Sequence, residues 1–375
     1  MSRRVLVLAH TGREESLRAA WDACDALHTS GLVPVMQKSE LADVERFFGH
    51  VDKPIEILHE DVRLEDVELV MVLGGDGTIL RAAELVREVD LPMLGVNLGH
   101  VGFLAESERA DLTQTVDWIA SREYTVEERM TIDVQVWVRG QKIWHTWALN
   151  EAAIEKADRE RMVEVVTEVD ERPLTSFGCD GVVLATPTGS TAYAFSSGGP
   201  VVWPEVEALV IVPISAHALF TKPLVVSPRS KLAVEILNRT DAKGVLWCDG
   251  RRSVDLPPGA RVEVTRSTRP VRLARTHQTP FSARLVRKFE LPIHGWRGPV
   301  PRSAEIHTGP VPVVRTPIPT PLPGPLDPPG PLDPPGPLDP PGPLDPPGPH
   351  DPGYGQEDAA WEESPGHGNE ATKES

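Results

Sequence analysis

Leu73-Gly74-Gly75-Asp76-Gly77-Thr78 puts three glycines, a hydroxyl and one carboxylate into six consecutive residues. Glycine tolerates positive φ and lets a ligand approach the backbone closely. Free amides at a helix start favour an anion, most often a phosphate. A carboxylate in such a cradle repels that ligand unless it meets a metal or takes a proton from a nucleophile. The conflict points to phosphoryl transfer, with Gly74, Gly75, Gly77 and Thr78 as the phosphate loop and Asp76 acting on the acceptor. The same residues also suit a plain glycine-rich turn, because short glycine motifs are common.

Two further stretches carry polar chemistry. Asn150-Glu151 places an amide beside a carboxylate, a pair able to grip a ribose diol, and equally an ordinary strand-end turn. The run from Gly178 to Pro200 opens on Cys179-Asp180-Gly181 and continues through a buried strand. It then reads Thr186-Pro187-Thr188-Gly189-Ser190-Thr191-Ala192-Tyr193-Ala194-Phe195-Ser196. Hydroxyls and exposed amides suit the edges of a nucleotide ring, and Tyr193 can stack or donate.

The flanking patterns show what must hold these residues. The apolar run 67–73 reads as a buried parallel strand, and 79–88 has helical spacing. Strands at 5–9, 32–36 and 92–97 alternate with helices at 14–28 and 112–120, which predicts an α/β domain with a Rossmann-like parallel sheet. Ligands on such sheets bind at the carboxyl ends of strands, where Asp76 and Asn97 lie. Asn97 serves equally well as a turn cap. From about residue 123 the period changes to two, at 131–138, 142–149, 163–169, 232–236 and 261–265, which predicts an all-β sandwich domain. Residues 281–289 read as a closing helix or hairpin that folds back onto the first domain. The expected division is therefore 1–122, 123–275, a returning segment 276–298, and a tail 299–375.

The tail repeats Gly-Pro-Leu-Asp-Pro-Pro four times from Gly324. Glycine at every sixth position excludes collagen, and the composition predicts a disordered, extended polyproline segment. It reads as a solvated spacer or as a docking tail for an unknown partner. It carries twelve acidic and three basic residues, so it supplies nine of the 17 net negative charges. No basic footprint marks the chain as a nucleic-acid binder. Three widely spaced cysteines, Cys24, Cys179 and Cys248, indicate neither a disulfide framework nor a thiolate metal site. The apolar start at 5–8 is too short for a signal peptide, and no stretch approaches a membrane span, so a cytoplasmic protein is expected.

Taken together, Gly74-Gly75-Asp76-Gly77, Asn150-Glu151 and the stretch 180–199 resemble NAD kinase. More closely, they resemble its polyphosphate/ATP-dependent actinobacterial type. The stretch 94–104 and Cys248-Asp249-Gly250-Arg251 match as well, so the resemblance covers about residues 3 to 298. It implies transfer of the terminal phosphoryl group of ATP, or of polyphosphate, to the 2′-hydroxyl of the adenosine ribose of NAD. It implies Asp76 as proton acceptor, with Gly77 and Arg81 beside the phosphates. Asn150 and Glu151 then bind the ribose and phosphate region, and Thr188, Thr191, Ala192, Tyr193 and Ser196 the adenine side, with Ala194 and Phe195 also among the substrate-binding residues. Asp180 falls near the nicotinamide amide, and Arg161 where the family often has a basic substrate-binding residue. The resemblance also implies Mg²⁺ dependence, with ligands it does not specify, and a homodimer or homotetramer whose sites are completed by a neighbouring subunit. A lipid or sugar kinase shares Gly-Gly-Asp-Gly, but a lipid substrate needs an apolar channel and 186–197 is polar. A silent NAD sensor would have lost Asp76 or an adjacent glycine.

Overall fold

The computed structural model describes residues 2–292, apart from 11, 50–53, 100–101, 106, 109–110, 240 and 277–278. The tail expectation for 299–375 lies outside the described residues. The first sheet contains β1 (Arg4–Ala9), β2 (Val33–Met36), β3 (Glu56–Ile57), β4 (Leu69–Leu73), β5 (Met93–Asn97), β6 (Ser107–Glu108) and β7 (Thr125–Arg129). Helices α1 (Glu14–Thr29), α2 (Lys38–Phe48), α3 (Asp76–Leu85) and α4 (Leu112–Ser121) connect them.

All five residues of β4 are buried, as a strand covered on both faces requires. In α1, Leu17, Ala20, Cys24 and Leu27 fall on one buried face at three- and four-residue spacing, with Glu14 and Glu15 in the first turn. The small residues Ala82 and Ala83 let α3 lie close against the sheet.

The second region is two six-stranded antiparallel sheets. Its strands are β8 (Ile132–Val138), β9 (Gln141–Ala148), β10 (Glu151–Lys156), β11 (Val163–Val169), β12 (Arg172–Cys179), β13 (Gly181–Ala185), β14 (Leu209–Ile214), β15 (Leu224–Val226), β16 (Leu232–Ile236), β17 (Gly244–Cys248), β18 (Arg252–Leu256) and β19 (Ala260–Arg266). A short helix, α5 (Tyr193–Ser196), follows β13. One sheet runs β15-β14-β13-β10-β17-β18 and the other β12-β11-β16-β19-β8-β9. Alternate residues such as Ile132, Val134 and Val136 meet Ile154, Val182 and Leu246 in the shared core.

The chain then returns to the first sheet through β20 (Val271–Arg275), whose order becomes β3-β2-β1-β4-β5-β20-β7. All its pairings are parallel except β20 with β7. Both ends of the 123–275 segment are thus strands of the first sheet. Residues 281–289 form a helix, α6 (Phe281–Phe289), and not a hairpin. Among the described residues, no helix is long and apolar enough to cross a membrane.

Candidate active site

Asp76 is the first residue of α3, three positions earlier than the expected helix start. Gly75, in extended conformation, is the N-cap, so the carboxylate sits inside the first turn instead of ahead of it. Of the three glycines only Gly74 is required by the chain's own geometry. Its φ is +154°, and a Cβ there would lie 2.5 Å from Thr78 Oγ1. A Cβ at Gly75 or Gly77 would meet nothing within 4 Å, so the backbone there faces open space. That is the surface a phosphate needs.

Both oxygens of Asp76 are held by backbone. Oδ2 accepts from the Phe103 amide at 3.0 Å and Oδ1 from the Leu104 amide at 3.1 Å. A Cβ on Gly102 would lie 2.3 Å from Oδ1. The loop is clamped from behind. Arg284 Nη1, on α6, donates to the carbonyls of Phe103 at 2.9 Å and Ala105 at 3.2 Å, and Arg275 Nη1, on β20, donates to Leu104 at 3.0 Å. Two amides leave further lone pairs of the carboxylate free to accept a hydroxyl proton. Neither arginine has a sequence signal, because the contact spans more than 170 residues.

Arg81 reaches back to the carboxyl end of β1. Its Nη2 donates to the Ala9 carbonyl at 2.8 Å and pairs with Glu40. Glu40 is 3% exposed, and burial pushes its carboxyl up to about 7 against the pull of Arg81. Sequence patterning gave no sign of Glu40, which looks like an ordinary helix residue. Asn97 Oδ1 accepts from the Gly99 amide at 3.2 Å, so its side chain caps the turn.

On the β side, Leu149 packs in one buried cluster with Ile79, Leu80 and Leu104, so Asn150-Glu151 emerges beside the start of α3. Its backbone is gathered by Asp249, which accepts from the amides of Leu149 at 3.0 Å, Asn150 at 2.7 Å and Glu151 at 3.4 Å. Asp249 and Gly250 have φ of +53° and +64° and form the tight β17–β18 hairpin turn, the Asp-Gly signal from which this position is legible. Arg252 pairs with Asp249 at 2.6 Å and, with Arg251, reaches Glu84 on α3, each at 3.1 Å. The Asp249 turn is thereby tied to the helix that Asp76 begins.

Glu151 is 6% exposed, and its Oε2 has no hydrogen-bond partner among the described residues. Burial, reinforced by the charge of Asp249, pushes its carboxyl up to about 8 against the Tyr193 amide. A buried oxygen left unmet is costly, and a ligand hydroxyl or cation would satisfy it.

In the polar run, several hydroxyls serve the loop itself. Thr186 Oγ1 donates to the Leu149 carbonyl at 2.6 Å, Ser190 Oγ to Pro187 at 2.7 Å, and Thr191 Oγ1 to Thr188 at 3.2 Å. A Cβ on Gly189 would lie 1.9 Å from the Asn150 carbonyl oxygen, so this loop lies directly on the Asn150-Glu151 segment. Thr188 is buried, Ala192 half-buried, and Ser196 exposed. The Ala194 side chain is spent on packing against Val183, Val202 and Val212. The Phe195 ring stacks on Phe289 at 4.4 Å, and Tyr193 Oη donates to Glu155 at 2.5 Å.

Asp180 and Arg161 are not brought to Asp76. β10 and β13 pair antiparallel, with Glu151 opposite Ala185 and Glu155 opposite Gly181. Asp180 therefore lies at the far end of β13 from Thr186, roughly 20 Å away at about 3.3 Å per residue. There it pairs with Lys156 at 2.6 Å, and that hydrogen bond lowers its carboxyl below the usual range. Arg161 lines a cavity of about 560 Å³ at this same end with Gly178, His217 and Arg239.

A carboxylate fixed by amides at an open helix start, beside a buried acid with an unmet oxygen, defines a phosphotransferase that acts on a hydroxyl. The comparisons carry this to a family. Residues 5–124 match the ATP-NAD kinase N-terminal domain and 149–276 its C-terminal domain. The chain is 59% identical over 297 residues to the NAD kinase of Leifsonia xyli subsp. xyli, covering 79% of this chain and 97% of that one. It is 56% identical to the Thermobifida fusca NAD kinase, over 82% of this chain and 94% of that one. The fold matches yeast NADH kinase complexed with NADH at a TM-score of 0.66 and 23% identity, over 73% and 83% of the two chains. It matches an Archaeoglobus fulgidus NAD kinase in complex with ATP at 0.57 and 24% identity, over 78% and 100%. The chain belongs to the NAD kinase family.

Proposed function

We propose that the chain transfers the terminal phosphoryl group of ATP to the 2′-hydroxyl of the adenosine ribose of NAD, giving NADP and ADP. One observation carries the assignment of roles: both oxygens of Asp76 are held by the Phe103 and Leu104 amides beside the open backbone of Gly75 and Gly77. The ribose oxygen attacks the terminal phosphorus, its bond to the ADP oxygen breaks, and Asp76 takes the hydroxyl proton. An aspartate is a weak base for a sugar hydroxyl, so its main service is to orient the acceptor and take the proton late. Glu151 offers its unmet Oε2 to the ribose, and the loop from Thr188 to Ser196 takes the adenine side.

Among the described residues, no group of three or more His, Cys, Asp or Glu side chains could hold a metal unaided. The donor set therefore fits a Mg²⁺ carried in on the phosphates of ATP, with at most one protein carboxylate added. Such an ion neutralises charge on the donor. Polyphosphate offers the same phosphates to Gly74, Gly75, Gly77 and Thr78, and is a second donor candidate. Asp180 and Arg161 lie at the opposite end of the β10–β13 pair. We assign them to the nicotinamide end of a site in a neighbouring subunit, which requires a homodimer or homotetramer. Three buried free cysteines accord with the reducing cytoplasm.

The test is NADP formation from NAD and Mg²⁺ with ATP and inorganic polyphosphate in parallel. NADP in both supports both donors, and NADP with ATP alone removes polyphosphate. No NADP in either, with NAD still bound, replaces the kinase by a sensor.

A further inference from the structure

Helix α2 buries only two of its residues, Val44 and, in its first turn, Glu40. A carboxylate is a costly residue to bury unless a cation meets it. Here the cation is Arg81, which comes from α3, 41 residues further along the chain. The Ala9 amide adds a long hydrogen bond to Glu40 Oε2 at 3.4 Å.

Arg81 lies where a phosphate would arrive. It follows Gly77 by four residues in α3, so the two share a helix face, and helical side chains lean towards the N-terminus. Its Nη2 donates to the carbonyl of Ala9, the last residue of β1, at 2.8 Å. Ala9 pairs with Leu73, so that carbonyl is about one strand spacing, roughly 4.8 Å, from the residue preceding Gly74. The guanidinium therefore hangs over the carboxyl end of the sheet, beside the open backbone of Gly75 and Gly77. The Arg81 side chain is 36% exposed, whereas that of Glu40 is closed off at 3%. The acid thus faces the protein interior and the cation keeps an open side. Two acceptors on one nitrogen, the Glu40 carboxylate and the Ala9 carbonyl, use both of its protons and fix the direction of the fork. Without Glu40, a long flexible stem would be held at its tip by a single carbonyl.

We infer that Glu40 is a positioning residue: it holds Arg81 at the mouth of the phosphate loop, where the guanidinium receives a phosphate group of a substrate. This role rests on the kinase reading above, in which ATP and NAD both bring phosphates to the site. Either presents the oxyanion geometry that a guanidinium fork matches. The Glu40 charge lies behind the guanidinium, further from the phosphate than the cation is, so attraction prevails at contact distance.

Calorimetric binding of ATP with Mg²⁺ and of NAD, together with steady-state kinetics, tests this on the full chain at about pH 8.5, where Glu40 is ionised. Glu40→Leu should weaken binding of ATP, of NAD or of both roughly tenfold, and raise the matching KM alike, as expected for a misplaced charge-assisted contact. The substrate affected names the phosphate that Arg81 meets. kcat should stay within a few fold. The melting temperature should stay the same or rise, because an apolar side chain replaces a buried acid and Arg81 is exposed enough to be hydrated. The same change made in Arg81→Gln should have little further effect, since it acts through the guanidinium. Unchanged affinity for both substrates, or an equal loss with and without Arg81, overturns the role. Should Glu40→Leu not fold, Glu40→Asp decides: shorter by one methylene, it must draw the fork back or release it, and unchanged affinity overturns the role equally. Binding is read without turnover, so a wild type that makes no NADP removes the kinase reading and leaves the Glu40 comparison standing.

Discussion

Arg284 and Asp76 are joined through one residue: Arg284 Nη1 donates to the Phe103 carbonyl at 2.9 Å, and the Phe103 amide donates to Asp76 Oδ2 at 3.0 Å. A cation on the last described helix thereby sets the direction of a carboxylate on α3. Both carboxylate oxygens are fixed before substrate arrives, which is the arrangement that makes a weak base useful in a reaction governed by alignment.

Three substitutions act on this chain of contacts in graded ways. Asp76→Asn turns one acceptor into a donor that faces the Phe103 or Leu104 amide. It should lose roughly 10²-fold or more in turnover while NAD affinity stays within a few fold. Gly102→Ala keeps the carboxylate but forces it aside, because its Cβ would lie 2.3 Å from Oδ1. A comparable loss of turnover with a near-normal melting temperature is expected. Arg284→Leu frees the Phe103 and Ala105 carbonyls and should reduce kcat roughly tenfold with KM for NAD little changed. Steady-state kinetics decide the point, and normal turnover in Asp76→Asn sinks the assignment.

The buried Glu151 makes stability depend on pH in a defined direction. Its carboxyl is raised to about 8 by burial and by Asp249, so the folded state favours the protonated form. The contribution is complete below the unfolded value of about 4.5 and is lost as pH rises towards 8, with a slope of up to about 1.4 kcal/mol per pH unit. Glu151→Gln, which mimics the protonated acid, should gain on the wild type across that window. Urea unfolding at pH 5 and pH 8 measures it; a constant difference between the two proteins rejects the buried neutral carboxyl.

The glycines of the phosphate loop should separate by role. Gly74→Ala puts a Cβ 2.5 Å from Thr78 Oγ1 at a φ of +154°, and should destabilise the fold by about 1–3 kcal/mol. Gly77→Ala meets nothing within 4 Å and lies inside a helix, where alanine is favoured. It should leave the melting temperature unchanged or higher while raising KM for ATP. Equal effects of the two substitutions on both measurements would remove the distinction between a structural and a ligand-facing glycine.

The physics of what was legible follows sequence distance. The buried run of β4 and the alternation of β8 express themselves within seven residues, so the α/β region, the sandwich and the position of Asp76 could be read from pattern alone. The Asp-Gly hairpin turn that holds Asp249 against the Leu149, Asn150 and Glu151 amides could have been found in the same way. The support of the site could not. Glu40 meets Arg81 across 41 residues and Arg284 meets Phe103 across 181, and neither pairing leaves a periodic trace. The hydroxyl-rich run was the opposite case. Its composition suggested ligand contacts throughout, yet Thr186 and Ser190 spend their hydroxyls on neighbouring carbonyls, a choice between local and ligand bonds that composition does not reveal.

The separation of Asp180 from Asp76 gives the strongest test of assembly. Pairing of Glu151 with Ala185 and of Glu155 with Gly181 fixes Asp180 at the opposite end of the β10–β13 pair from Asn150-Glu151, which emerges beside the start of α3 where Asp76 lies. If a neighbouring subunit supplies Asp180, Asp76→Asn and Asp180→Asn damage different halves of a shared site. Each variant alone should be weakly active at low NAD. Co-expressed in equal amounts, they should form mixed dimers in which one site carries both wild-type acids and the other neither. Random pairing then restores about a quarter of the wild-type activity, half the dimers being mixed and half their sites intact. Activity no higher than the mean of the two variants would place Asp180 outside the neighbour's site.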